Sequence, residues 1–305
     1  MNQPANTQPF YQNHPKTVNM EITTRCNLTC SYCTARKLIK NPVDLPMEKI
    51  QILVDNLKDH PFDFIALCGM GEPLVHKNFY EILELLKDRR LILVSNGSVP
   101  IDYERLTKYR NVHIITFSVD AVTEESLKKI CSKYNYQNLM KNLEGSVKYG
   151  VNIAFNVTLT PDNLEELQAI VDMAIRCKVV LLKVGLPLGQ GKWVRENMAT
   201  LGPILAGVEE KAKQANLPYE GPFEQKCTYQ DAPTALLLST GDYYPCCDYY
   251  SRRPVIGNLF RYDLNTLWEN KTYTQFRTGQ YCFQCSLYHN QSNLLGGMQR
   301  EVSNQ

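Results

Sequence analysis

Six short apolar runs rich in β-branched residues, TVNMEIT (17–23), FIALCG (64–69), LILVSN (91–96), HIITFSV (113–119), NIAFNVTLT (152–160) and VVLLKVGL (179–186), alternate with amphipathic stretches. Each is short enough to be a buried strand. Between them, Met47, Ile50, Val54 and Leu57 recur at helical spacing, as do Leu164, Leu167, Val171 and Ala174. Strict alternation of strand and helix predicts parallel strands with right-handed crossovers, hence an open or closed βα barrel or a doubly wound sheet. Asn78 with Glu81, and Asn163 with Glu166, stand three apart at two helix starts, which predicts capping boxes with Asn as the cap.

The alternation ends at GLPLGQGKW (185–193), a long connection followed by one more helix around 201–215. After Pro218 the pattern changes. ALLLSTGDYYPCC (235–247) predicts a hairpin with a Gly-Asp turn, and LNTLWENKTYTQF (264–276) predicts one amphipathic helix. The expected organisation is a polar N-terminal segment (1–16), an α/β unit (17–217), a small α+β module (218–290) and a polar tail (291–305). A module that small needs a staple, and Cys227, Cys246, Cys247, Cys282 and Cys285 fall within it.

Composition narrows the function classes. With 44% hydrophobic and 21% charged residues and a formal net charge of +2, the chain is globular and has no field that would recruit nucleic acid. The N-terminal stretch lacks the apolar core of a signal peptide, and no run is long enough to span a bilayer, so a cytoplasmic protein with no membrane partner is expected. Eleven cysteines is a high count for that compartment, where clustered thiols serve metals or redox chemistry.

Three of them stand in RCNLTCSYC, at Cys26, Cys30 and Cys33, immediately after the first predicted strand. That is the end of a strand where α/β enzymes place their chemistry. A closed tetrahedral zinc site or a fully ligated iron–sulfur cubane uses four protein donors, and here there are three. Two readings follow: a zinc knuckle with a distant fourth ligand, or a four-iron cluster whose fourth iron is open to substrate or cofactor.

The Cys-x3-Cys-x2-Cys spacing, with the aromatic Tyr32 before the last cysteine, resembles the signature of the radical S-adenosylmethionine (radical SAM) superfamily. The resemblance implies a partial (β/α)6 TIM-like barrel, a [4Fe-4S] cluster on Cys26, Cys30 and Cys33, and S-adenosyl-L-methionine chelated at the open iron. Reductive cleavage of that cofactor would give a 5′-deoxyadenosyl radical that takes hydrogen from substrate. GMGEP (69–73) is similar to the family's Gly-Gly-Glu-Pro segment, with Met70 in place of the second glycine; it implies that Gly69, Gly71, Glu72 and Pro73 meet the cofactor's amino group. SNG (95–97) and FSVDA (117–121) resemble the family's next two strand ends, which implicates Asn96, Ser118 and Asp120; Asn156 on the fifth strand is a further candidate for the cofactor's carboxylate or ribose.

Cys227, Cys246, Cys282 and Cys285 form Cys-x18-Cys-x35-Cys-x2-Cys, enough thiolates for one closed site, either a zinc ribbon or an iron–sulfur cluster. With Gly257, Asn258 and a tryptophan-bearing helix between them, the segment resembles the twitch domain, the half-size relative of SPASM, and implies one auxiliary [4Fe-4S] cluster. Cys246, directly after Pro245, fits the ligand position better than Cys247. Relatives of this kind mature ribosomal peptides or oxidise carbohydrates and aminocyclitols. The expectation is therefore peptide modification, assisted by a separate leader-peptide-binding protein because only 16 residues precede the first strand, and by flavodoxin or ferredoxin as electron donor. A small-molecule dehydrogenase is the alternative, and a non-catalytic metal scaffold the remote one. Cys68, Cys131 and Cys177 are read as packing residues, His76 as structural, and Tyr243, Tyr244, Tyr249 and Tyr250 as core.

Overall fold

The structure, a computed structural model, describes residues 16–60, 62–186, 191–222, 234–245 and 255–277. The chain divides into two compact units, a larger one of Glu21–Leu45 and Ala66–Gln225 and a smaller one of Met1–Met20, Pro46–Ile65 and Lys226–Gln305. Ten strands occur along the described residues: β1 (Thr17–Met20), β2 (Phe64–Leu67), β3 (Leu91–Ser95), β4 (Val112–Ser118), β5 (Ile153–Thr158), β6 (Leu181–Gly185), β7 (Tyr219–Glu220), β8 (Thr234–Leu237), β9 (Asp242–Tyr244) and β10 (Gly257–Asn258). All six expected strands are present as β1 to β6. Among the described residues no helix is long and apolar enough to cross a membrane.

In the larger unit β3, β4, β5, β6 and β7 lie side by side in that order, all parallel. Parallel pairing requires a return crossover, and helices Tyr103–Leu106, Glu124–Ile130, Tyr136–Tyr149, Leu167–Arg176 and Met198–Gln214 occupy the connections. Leu93, Ile115, Phe117, Phe155, Val157, Leu182 and Val184 are buried, and Leu167, Ile170, Val171 and Ala174 form the buried stripe of one covering helix. The fold is thus α/β with a parallel sheet.

The capping expectations need correction. Asn163 is the third residue of a capping box whose cap is Thr160, opening the 3-10 helix Pro161–Glu166. Its amide accepts from Thr160 N at 2.7 Å and donates to Asp120 O and Thr158 O, so the side chain is wholly buried. Asn78 does precede Phe79–Leu85, but its side chain makes no cap bond. Its backbone N–H goes to His76 Nδ1 at 3.1 Å, while His76 Nε2 donates to Leu45 O, which fits the structural reading of that buried histidine.

In the smaller unit β1 pairs parallel with β8, β8 antiparallel with β9, and β9 antiparallel with β10. Helix Met47–Leu57 buries Ile50, Leu53 and Leu57, and Asn56 Nδ2 donates to Leu259 O at 2.7 Å. The hairpin turn is longer than two residues. Gly241 takes the left-handed position (φ +81°) that closes a loop over Ser239 and Thr240, its N–H bonded to Leu238 O, and Asp242 already belongs to the strand. The single helix expected over 264–276 is two, Leu264–Trp268 and Lys271–Arg277, because the Asn270 side chain turns back to accept from Thr272 N and to donate to Ile256 O. Tyr243 is fully buried with its hydroxyl 3.3 Å from that of Tyr273, and Tyr244 is buried too, in keeping with a core role; Tyr249 and Tyr250 lie outside the described residues.

Candidate active site

The three-cysteine loop lies in the larger unit and is held at its base by local polar contacts. Thr23 Oγ1 donates to Asp44 Oδ1 at 2.7 Å and accepts from Arg25 N; Thr24 and Val43 exchange hydrogen bonds; Arg25 pairs with Asp44 at 2.9 Å. Further along, Ser31 N donates to Ile130 O and Thr29 N to Cys131 Sγ, so the end of helix Glu124–Ile130 supports the loop from behind. Cys131, buried as expected, is therefore also a hydrogen-bond acceptor. Cys26 is exposed and Cys30 and Cys33 are half-buried.

The surroundings oppose thiolate formation in the metal-free chain. Desolvation among the loop atoms pushes the Cys26 thiol up, against the N–H of Leu28. At Cys30 desolvation is again the main cause, and Cys131, Asp120, Cys33 and Cys26 add to it. Only a strongly positive guest reverses that balance. Among the described residues no three His, Cys, Asp or Glu side chains meet where one bare ion would sit. In a four-iron cluster each thiolate holds its own iron, so the ligands surround a body rather than converge on a point. The donor set, three thiols on one loop with Cys26 exposed, fits such a group.

The glycine segment is laid against this loop. Gly69 has φ +143°, Met70 N donates to Glu21 Oε2 at 2.8 Å, and Glu72 N donates to Arg25 O at 2.8 Å. The Glu72 carboxylate is buried; it accepts from Asn96 N at 2.7 Å and from Leu74 N at 3.2 Å at the start of the 3-10 turn Pro73–Val75. Burial raises it to about 7, against the hydrogen bonds from Asn96, Leu74 and Ser95. Pro73 is buried and sets the first position of that turn.

The remaining candidates stand on parallel strands or just after them. Ser118, the last residue of β4, and Asn156, inside β5 before its end at Thr158, are register partners, both half-buried. Asp120 is different: its carboxylate is fully enclosed, with one oxygen accepting from the Tyr32 hydroxyl and the other from Thr158 N at 2.7 Å. Both oxygens are committed within the protein, and the residue ties the Tyr32 end of the cysteine loop to the end of β5. Sequence motifs do not disclose the supporting residues Tyr134, whose hydroxyl donates to Asn96 O, Glu21, or the acceptor role of Cys131. Cys68 and Cys177 are half-buried. Cys227, Cys246, Cys282 and Cys285 lie outside the described residues.

Asp120 makes the apo protein pH-dependent. Burial raises its carboxyl from 3.8 to about 6, so between those values the folded state holds a proton that the unfolded chain releases. That stabilisation is complete below the unfolded value and is lost as pH rises through about 6, a loss on the order of 3 kcal/mol. Asp120→Asn keeps an acceptor for Thr158 N and should flatten this part of the profile. Urea unfolding of metal-free wild type and variant from pH 4 to 8 checks it; parallel profiles would refute the assignment.

Two family models match the chain. That of the radical SAM superfamily matches residues 20–174, and that of an iron-sulfur cluster-binding domain, SPASM, matches residues 227–286. The tungsten-containing aldehyde ferredoxin oxidoreductase cofactor-modifying protein of Pyrococcus furiosus is 25% identical over 321 residues, 89% of this chain and 87% of its own. Among solved structures, SuiB of Streptococcus suis bound to its precursor peptide SuiA is similar over 90% of this chain and 70% of its own, with a TM-score of 0.70 at 16% identity. The enzyme anSMEcpe with bound AdoMet and Cp18Cys peptide is similar over 85% of this chain and 81% of its own, with a TM-score of 0.65 at 18% identity.

Proposed function

The chain belongs to the radical SAM superfamily and carries a SPASM-type iron–sulfur domain, and from that premise we propose that it modifies a ribosomally made peptide by radical chemistry. The observation that carries the reading is the gathering, within one unit, of the three-thiol loop, the glycine segment bonded to it through Glu72 N and Arg25 O, and Asn96, Ser118 and Asn156 on the parallel strands or just after them. Cys26, Cys30 and Cys33 would hold the cluster, and the backbone of Gly69 to Pro73 would receive the amino group of S-adenosylmethionine. When bound, cluster and cofactor together supply one-electron cleavage to a 5′-deoxyadenosyl radical, which removes a substrate hydrogen. Ser118 and Asn156 offer hydroxyl and amide groups suited to the cofactor's ribose and carboxylate. Tyr32 is held by Asp120, which orients the loop and leaves no carboxylate oxygen exposed to water. Cys227, Cys246, Cys282 and Cys285 would close one auxiliary [4Fe-4S] cluster, with flavodoxin or ferredoxin delivering electrons and a small recognition protein presenting the peptide.

The peptide ligands of SuiB and anSMEcpe support the peptide reading. The Pyrococcus furiosus relative, named for modifying a cofactor, supports the second one, action on a small molecule. Reconstituted protein should hold about eight irons and, with dithionite and S-adenosylmethionine, transfer deuterium from a labelled precursor peptide into 5′-deoxyadenosine. Mass spectrometry of peptide and nucleoside together is the test: release of 5′-deoxyadenosine coupled to a small substrate and never to a peptide would favour the second reading. Cys282→Ala should keep deuterium uptake but lose the finished product, because a fully ligated cluster has no open iron for substrate and serves as an electron acceptor. Normal product yield from that variant, with the auxiliary irons gone, would refute the role.

A further inference from the structure

Asn96 has its amide orientation fixed from both sides. Ser98 N is a donor only, and it meets Asn96 Oδ1 at 2.8 Å. The amide nitrogen is therefore on the other side, 3.0 Å from Asn27 Oδ1 and 3.8 Å from Cys26 Sγ. Asn27 is set in turn by its own Nδ2, which donates to Ser98 Oγ at 3.2 Å and leaves its oxygen facing Asn96. The backbone of Asn96 is clamped as well, N–H to Glu72 Oε2 at 2.7 Å and C=O to the Tyr134 hydroxyl. Three side-chain hydrogen bonds thus aim one N–H at one sulfur, which also receives Leu28 N at 3.4 Å, while two others hold only the backbone.

We infer that Asn96 is a positioning residue that donates an N–H···S hydrogen bond to the Cys26 thiolate and thereby raises the reduction potential of the cluster held there. The inference rests on the reading of Cys26, Cys30 and Cys33 as cluster ligands. A hydrogen bond withdraws electron density from a ligating sulfur and stabilises the reduced cluster, which carries one more negative charge. Asn96 would then act on the electron-transfer step through Cys26, in addition to any contact with S-adenosylmethionine.

The test is a potentiometric titration of the anaerobically reconstituted full chain, following the electron paramagnetic resonance signal that changes when S-adenosylmethionine is added. Asn96→Ala should shift the midpoint to more negative potential. Asn96→Asp, which keeps an acceptor for Ser98 N but places a carboxylate oxygen toward Cys26, should shift it further in the same direction. Tyr134→Phe removes a clamp on the backbone and leaves the amide in place, so the potential should hold; a shift there as large as in Asn96→Ala would indicate a merely structural role and overturn the inference. Unchanged potentials in both Asn96 variants, at full iron content, would overturn it, as would loss of the cluster in both, since a tuning bond is dispensable for assembly. Failure of the underlying reading looks different: the wild type would then have no signal that responds to S-adenosylmethionine.

Discussion

Cys30→Ala, reconstituted anaerobically and supplied with S-adenosylmethionine and dithionite, should release 5′-deoxyadenosine no faster than a sample without protein. Cys30 is the middle thiol of the loop; desolvation is the main cause that disfavours its charge, and Cys131, Asp120, Cys33 and Cys26 add to it. A thiol in that setting ionises only when a cluster supplies positive charge, so its contribution appears on metal loading and is absent from the metal-free chain. Removing it leaves two thiols for a four-iron body that already has one open iron. Cys177→Ala is the control. Cys177 follows helix Leu167–Arg176, away from the loop in sequence and half-buried, and its loss should leave the rate unchanged. Cleavage at the wild-type rate by Cys30→Ala would show that this loop is not the radical site.

Gly71→Ala should abolish S-adenosylmethionine binding while most of the chain remains folded. A Cβ at Gly71 would stand 2.4 Å from Thr23 O and 2.5 Å from Arg25 O. Both obstacles are backbone atoms of the cysteine loop, fixed by the Thr23–Asp44 and Arg25–Asp44 contacts, and neither can rotate away as a side-chain tip would. The segment must therefore separate from the loop, breaking the bond from Glu72 N to Arg25 O, at an overpacking cost of roughly 1–3 kcal/mol. Gly202 provides the contrast. It lies in helix Met198–Gln214 with open space where a Cβ would go, so Gly202→Ala should stabilise by about 0.5–1 kcal/mol and leave binding alone. Equilibrium dialysis with labelled S-adenosylmethionine, alongside urea unfolding, separates the two effects; wild-type affinity in Gly71→Ala would sink the role given to the glycine segment.

The strands were legible because each is a local property: a short, mostly apolar run with β-branched residues in it suffices to mark LILVS or IAFNVT, and parallel pairing follows from the helices between them. The cysteine loop was legible for the same reason, since Cys26, Cys30 and Cys33 lie within eight residues of one another and their spacing survives any tertiary arrangement. The helix around 264–276 was misread because the break at Asn270 depends on Ile256, fourteen positions away. The cap expected at Asn163 was misread because that side chain is drawn inward by Asp120, forty-three positions away.

By itself, then, the sequence determined the α/β alternation, the three-thiol loop and the family to which both belong. Only the tertiary structure decided what each polar side chain near the loop does: Asp120 closes on Tyr32 and Thr158, Glu72 takes the N–H of Asn96, and Asn96 points its amide at Cys26. The physical reason is the cost of burying polar groups unpaired. A carboxylate or amide enclosed by packing must find a partner among whatever groups the fold brings near, at separations of 24 to 88 residues here, and local spacing along the chain carries no record of that choice.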